Sequence, residues 1–131
     1  MIAPLIRHLM AMESPILAQH GVSMWAYSVL TALAARPYRG QNALAEAIGA
    51  DKTRIIDVLD DLQERGLISR EPDPADRRAR LLAVTPRGRR VRDQVRRAIR
   101  KEEQLLLTGL PPADREVFLR ALRDLSDAVR R

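Results

Sequence analysis

The sequence predicts a mainly α-helical domain with one small β-hairpin set into it, and three observations carry that reading. Apolar residues recur at helical spacing through most of the 131-residue chain. Two helical stretches meet across the short turn Gly49-Ala50-Asp51, the arrangement of a helix-turn-helix. Between Gly66 and Thr85 the helical spacing gives way to two runs of strand-like residues. A chain of this length is near the modal size of one domain, so a single core is expected over residues 1–131.

The elements follow in order. Ile2, Leu5, Ile6, Leu9 and Met10 form one apolar stripe, continued by Ile16 and Leu17. Pro15 interrupts that stripe, removes a backbone donor, and is expected to kink or split the first helix. Gly21 ends it. Ser23 is a cap for a second helix through Trp25, Val29, Leu30 and Leu33, stopped by Arg36-Pro37. Asn42 to Ile48 reads as a two-turn helix closed by Gly49, since a left-handed residue costs glycine little. Asp51 caps the next, which places Ile55, Ile56, Leu59 and Leu62 inward and ends at Arg65-Gly66.

Leu67 to Arg70 and Arg80 to Val84 then read as two short strands. The Pro-, Asp- and Arg-rich stretch Glu71 to Ala79 becomes the long charged tip of their hairpin. Thr85-Pro86 supplies a cap and a first-turn proline for a helix running to about Leu107. Pro111-Pro112 begins a last helix with Phe118, Leu122, Leu125 and Val129 on one face.

Composition narrows the chemistry. The absence of cysteine removes disulfides, thiolate zinc sites, iron–sulfur clusters and thiol redox sensing, and it fits a reducing cytoplasm. Aromatics make up 3% of the chain, too few for the stacking platforms that hold single-stranded nucleic acid. No apolar run approaches the roughly 20 residues that cross a bilayer. The opening Met1 to Met12 carries Arg7 and His8 and lacks a small-residue cleavage site, so it is not read as a signal peptide. A cytoplasmic protein with no membrane partner is expected. Histidines stand only at positions 8 and 20, and neither a metal-ligand spacing nor a phosphate-binding glycine loop is present. An enzyme is therefore not expected, and no metal or cofactor is predicted.

Charge is distributed unevenly. Arg70 to Lys101 holds twelve basic residues against four acidic, a net +8 that leaves −2 for the rest of a chain carrying +6. Such asymmetry gives a one-sided positive potential suited to a polyanion. With single strands disfavoured, duplex DNA is the better partner.

The segment Leu44-Ala45-Glu46-Ala47-Ile48-Gly49, followed by Thr53 through Ile68, resembles the helix-turn-helix of the MarR family of transcription regulators. Asp73-Pro74-Ala75-Asp76-Arg77-Arg78, the strand Leu81 to Val84, and Thr85-Pro86-Arg87-Gly88 resemble that family's wing signature. The helix-turn-helix alone is shared by many regulators; the wing run at this distance behind it is much more specific. The resemblance covers roughly a third of the chain closely, and the order of helices agrees outside it. It implies a winged helix-turn-helix flanked by N- and C-terminal dimerisation helices, with residues 22–100 as the DNA-binding part and residues 1–21 and 101–131 as the dimerisation helices. The implied function is sequence-specific binding of double-stranded DNA, as a homodimeric repressor on a palindromic operator.

Candidate contacts come from both arguments. The major groove admits one α-helix and is read by residues near that helix's N-terminus, here Lys52, Thr53 and Arg54. Arg54 is suited to bidentate pairing with guanine, Thr53 to a thymine methyl or a phosphate, and Lys52 to backbone charge. The resemblance implies that Asp76 orients Arg78 into the neighbouring minor groove, where a permanently charged planar guanidinium fits the negative potential. Arg77 and Arg80 flank it on phosphates, while Asp73 stiffens the tip. The later run of arginines lies on a helix, so its members point in several directions rather than forming one patch. From that run Arg87 and Arg90 are assigned to the DNA backbone.

Pairing draws on Ile2, Leu5, Ile6 and Leu9 at one end of the chain and Leu105, Leu106, Leu110, Phe118, Leu122 and Leu125 at the other. Some of these must fill the chain's own core. Many members of the family release DNA when a small anionic aromatic binds, and His20, Trp25, Tyr27 and Tyr38 are the candidates for an effector pocket. The competing reading is a winged-helix protein-interaction module without specific DNA binding.

Overall fold

The computed structural model describes residues 1–130 and contains six helices and a three-stranded sheet among them. They run α1 (Ile2–Gln19), α2 (Met24–Ala35), β1 (Tyr38–Arg39), α3 (Gln41–Ile48), α4 (Lys52–Glu64), β2 (Ile68–Asp73), β3 (Asp76–Val84), α5 (Pro86–Leu107) and α6 (Pro112–Val129). The helix boundaries follow local chemistry. Ser23 accepts the backbone N–H of Ala26, Asp51 that of Thr53, and Thr85 that of Gly88, each satisfying a donor that a helix start leaves free. Gly49 closes α3 at φ 71°, a backbone conformation only glycine adopts cheaply.

The core is built around α2. Val29, Leu30 and Leu33 meet Leu44 of α3, Ile55, Leu59 and Leu62 of α4, Leu67 and Ile68 at the start of the hairpin, Leu82 of β3, and Val95 of α5, all buried. Each such side chain removed from water contributes about 1.5–3 kcal/mol, which is what holds the short helices α3 and α4 in place. The sheet is antiparallel in the order β1-β3-β2, with Tyr38 opposite Leu82 and Ile68 opposite Val84.

Three features depart from the sequence reading. Pro15 does not split the first helix, which is continuous from Ile2 to Gln19. The carbonyl that loses its partner belongs to Ala11, an exposed residue that water can serve, and the helix packs on α5 regardless. The long charged tip is instead a tight turn at Pro74-Ala75 on strands longer than expected. Pro72 is tolerated because β2 is an edge strand, and the register shifts just after it. Asp73 closes the turn: only 4% exposed, it accepts the Ala75 N–H at 2.9 Å and pairs with Arg39 Nε at 3.1 Å. The third departure is β1, too short to show an alternation.

α6 stands apart. None of its 18 residues is buried, and Val117, Phe118, Leu122, Leu125 and Val129 are exposed along it. Its angle is set at the α5–α6 turn, where the Arg115 guanidinium donates to the carbonyls of Leu107 and Leu110, both at 3.1 Å. Ile2, Leu5, Ile6 and Met10 of α1 and Leu105 and Leu106 of α5 are exposed as well. Leu9 is half-buried. No helix among the described residues is long and apolar enough to cross a membrane. The division drawn at residue 100 falls inside α5, which is one unbroken helix.

Candidate nucleic-acid interface

Two positive elements project from the core. The first is the N-terminal turn of α4, where Lys52, Thr53 and Arg54 are all exposed while Ile55 behind them is buried. Asp51 shapes this turn, accepting both the backbone N–H of Thr53 at 3.0 Å and its hydroxyl at 2.8 Å. These two hydrogen bonds, with Arg54 nearby, hold the Asp51 carboxyl below its ordinary value. The Thr53 hydroxyl proton is thereby committed, which leaves the oxygen to act toward other partners as an acceptor.

The second element is the hairpin. Asp76, Arg77, Arg78 and Arg80 are exposed, and alternation along β3 puts Arg78 and Arg80 on the opposite face from Arg77. Asp76 accepts the backbone N–H of Arg78 at 3.0 Å, so it fixes the main chain from which that arginine projects rather than holding its guanidinium. Among the described residues no ion pair ties down Arg77, Arg78 or Arg80.

A cleft of about 580 Å³ lies beside the hairpin, lined by Arg78 and Arg80 of β3, Arg39 of β1, Arg70 of β2, Gln41 of α3 and Gln63 near the C-terminal end of α4, and Lys52, Thr53 and Arg54 are not part of it. Arg70 Nη2 sits 2.9 Å from Asp60 Oδ1, a charge pair that braces β2 against α4. Arg39 was not among the expected contacts. It lies on the two-residue β1, a strand that leaves no periodic signal, and only pairing to β3 brings it beside Arg80. Arg87 and Arg90 are exposed in the first turns of α5, outside that cleft.

The remaining arginines of α5 do form a patch, contrary to expectation. Arg89, Arg92, Arg96, Arg97 and Arg100 line one cleft of about 330 Å³ together with Asp93. Steps of three and four residues keep them on one helical face.

The four residues proposed for an effector pocket do not gather. Tyr38 lines a cleft with Pro37, Ala43, Ala47 and Leu81 that none of the other three reaches, and the Arg36 guanidinium stacks on its ring at 4.1 Å. His20 Nδ1 is 2.9 Å from the Ile16 carbonyl of its own helix. Tyr27 packs against the core, and Trp25 is half-buried near the start of α2.

Comparison with known proteins agrees with this geometry. The model of the MarR family matches residues 20–79. A protein of Thauera aromatica proposed to regulate transcription of the hcr operon is 33% identical over 84% of this chain and 66% of its own length, so the chain spans about two thirds of that relative. The transcriptional regulator HosA of Escherichia coli O111:H- is 30% identical over 78% of this chain and 76% of its own. Among solved structures, the repressor CouR bound to a 23-mer DNA duplex superposes with a TM-score of 0.80 at 25% identity, covering 95% of this chain and 89% of that one. CouR from Rhodococcus jostii RHA1 bound to p-coumaroyl-CoA gives 0.81 at 27% identity, covering 98% and 87%. These relatives are transcription regulators rather than enzymes. With its short helix-turn-helix, its hairpin wing and its positive face, the chain belongs to the MarR family of transcriptional regulators, built on a winged helix-turn-helix DNA-binding fold.

Proposed function

We propose that the chain acts in the cytoplasm as a homodimeric repressor that grips a palindromic operator with two α4 turns and two wings. The carrying observation is α6: an amphipathic helix with no buried residue, whose Phe118, Leu122, Leu125 and Val129 are exposed. Together with the exposed ends of α1 and α5 it offers a seam for a second copy. Two-fold pairing through residues 1–21 and 101–131 sets the two α4 helices about 34 Å apart, one turn of duplex. In each half Arg54 reads base edges, with Thr53 and Lys52 beside it on a thymine methyl and the backbone. Arg78 enters the minor groove from a main chain fixed by Asp76. Arg77, Arg80, Arg87 and Arg90 neutralise phosphates.

Release by a small aromatic or anionic effector belongs to the same reading, supported by the CouR structure with p-coumaroyl-CoA. An effector works by favouring a spacing of the two α4 helices that the operator does not match. Trp25 provides an optical signal for it. Titration with phenolic acids that changes neither operator affinity nor Trp25 fluorescence removes this part.

The direct test is a gel shift on the gene's own upstream region at several salt concentrations. Binding is expected to weaken steeply as salt rises, because each phosphate contact releases condensed counterions. Absence of a shift at moderate salt contradicts the proposal and points to a protein-interaction module.

A further inference from the structure

Five guanidiniums and one carboxylate share the 330 Å³ cleft along α5, and neither the recognition helix nor the wing tip takes part in it. Arg92, Arg96 and Arg100 stand one turn apart, so they span about 12 Å along the helix. Asp93 pairs with Arg92 at 3.0 Å and is the only acid in the lining. The Arg89 guanidinium is already positioned, donating to the Ala34 carbonyl at the end of α2 at 3.1 Å. Arg92 is mostly buried, at 16% side-chain exposure, and its Nε has no acceptor among the described residues. Like charges three and four residues apart on a helix repel, and little nearby compensates them.

The position argues against DNA as the occupant. α5 begins at the base of the wing, nine residues of β3 away from the tip, roughly 30 Å at strand rise. It packs on α1, α2 and the base of β3, whereas α4 packs on α2, α3 and β2.

We propose that this cleft binds a small, multiply charged anion bearing a diphosphate. Guanidiniums donate paired N–H bonds to phosphate oxygens, and a row of three at one-turn spacing matches an extended anion rather than a single carboxylate. The diphosphate can come from inorganic pyrophosphate, from a nucleoside diphosphate, or from the diphosphate of a coenzyme A conjugate. This inference is independent of the aromatic effector pocket considered above.

Thermal unfolding of the full chain tests it, with inorganic pyrophosphate, ADP and coenzyme A each added at constant ionic strength against a chloride control. All three are expected to raise the midpoint by several degrees, because a ligand bound only by the folded state stabilises it. Equal shifts identify the diphosphate as the recognised group; larger shifts with ADP or coenzyme A show that the cleft also holds the attached nucleoside. The variant Arg96→Gln/Arg100→Gln is expected to melt higher without ligand, since repulsion is relieved, and to lose most of the shift. Arg96→Gln alone is expected to lose part of it. Arg78→Ala keeps the full shift. The proposal is overturned if the wild-type chain shows no shift, if the double variant retains it, or if Arg78→Ala abolishes it. It is equally overturned if the double variant loses operator affinity while no anion shifts the wild type, because the row is then a DNA contact.

Discussion

Gly88 lies directly against the carbonyl of Leu67: a methyl group at position 88 would overlap that oxygen and come within 2.9 Å of the Leu67 carbonyl carbon and a Val84 methyl. The same junction is tied by Thr85, whose hydroxyl donates to the Gly66 carbonyl at 2.7 Å and accepts the Gly88 N–H at 3.0 Å, while its backbone N–H donates to Leu67 at 3.1 Å. The end of α4, the base of the wing and the start of α5 therefore move as one piece. This is how a helix reading the major groove and a strand reaching the minor groove keep a fixed relation.

Gly88→Ala is expected to destabilise the chain although alanine favours a helix by about 1 kcal/mol. The overlap is with backbone that cannot rotate away, and overpacking of this kind costs about 1–3 kcal/mol. Urea unfolding checks it: a lower midpoint at unchanged slope is the expected result.

Thr85→Val keeps the shape and removes both hydroxyl bonds. The loss of a cap costs about 0.5–2 kcal/mol, and the Gly66 carbonyl is left without its side-chain partner. A variant as stable as the parent in urea shows that the junction is held by packing alone.

Wing and helix make separable contributions to DNA binding. Arg78→Ala is expected to weaken binding to all sequences and, in a dimer with two wings, to flatten the log K against log salt plot by about 2. Arg54→Ala is expected to relax discrimination at particular base pairs by about 1–3 kcal/mol. Competition with single-base operator variants separates the two, and unchanged sequence preference in Arg54→Ala removes its role in base reading.

Glu13 carries a pH signature. Burial against α5, and then the nearby charge of Glu103, raise its carboxyl above the ordinary value of 4.5. A raised folded-state value means that the ionised form opposes folding; the penalty is present above the folded-state value and is relieved as pH falls through it, disappearing below 4.5. Glu13→Gln is expected to raise the thermal midpoint at pH 7 and to change it little at pH 4. An equal shift at both pH values assigns the effect to packing instead.

The chain's local punctuation made most of the fold legible. Ser23, Asp51 and Thr85 mark helix starts through bonds that span only a few residues, and Pro111-Pro112 marks one through the fixed φ of proline. What escaped depends on distant partners. β1 exists only because β3 lies beside it, so Arg39 could not be read as a neighbour of Arg80. The buried setting of Asp73 at the tight turn includes Arg39, a partner on another strand that only the sheet brings near. The arginine row on α5 is open to sequence reading, since positions 89, 92, 96 and 100 follow helical spacing; taken as a whole, the run from Arg87 to Arg97 points in several directions and hides that subset. The aromatic candidates share only their residue type: His20 bonds within its own helix, Tyr27 and Tyr38 pack against the core, and Trp25 is half-buried.

The dimer seam is open to a single substitution. Leu122 is about half exposed in the chain, so Leu122→Glu is expected to leave the fold intact while placing two charges in the seam. A loss of about 3 kcal/mol weakens association roughly a hundredfold. Gel filtration of the variant across concentrations reads this directly.

Sedimentation of the chain with a duplex taken from its protected upstream region is the most direct test of the account. Two chains of 14.8 kDa per duplex are expected at low salt, with the complex dissolving as salt rises. A complex containing one chain, or a paired protein that adds no mass to the duplex, contradicts it.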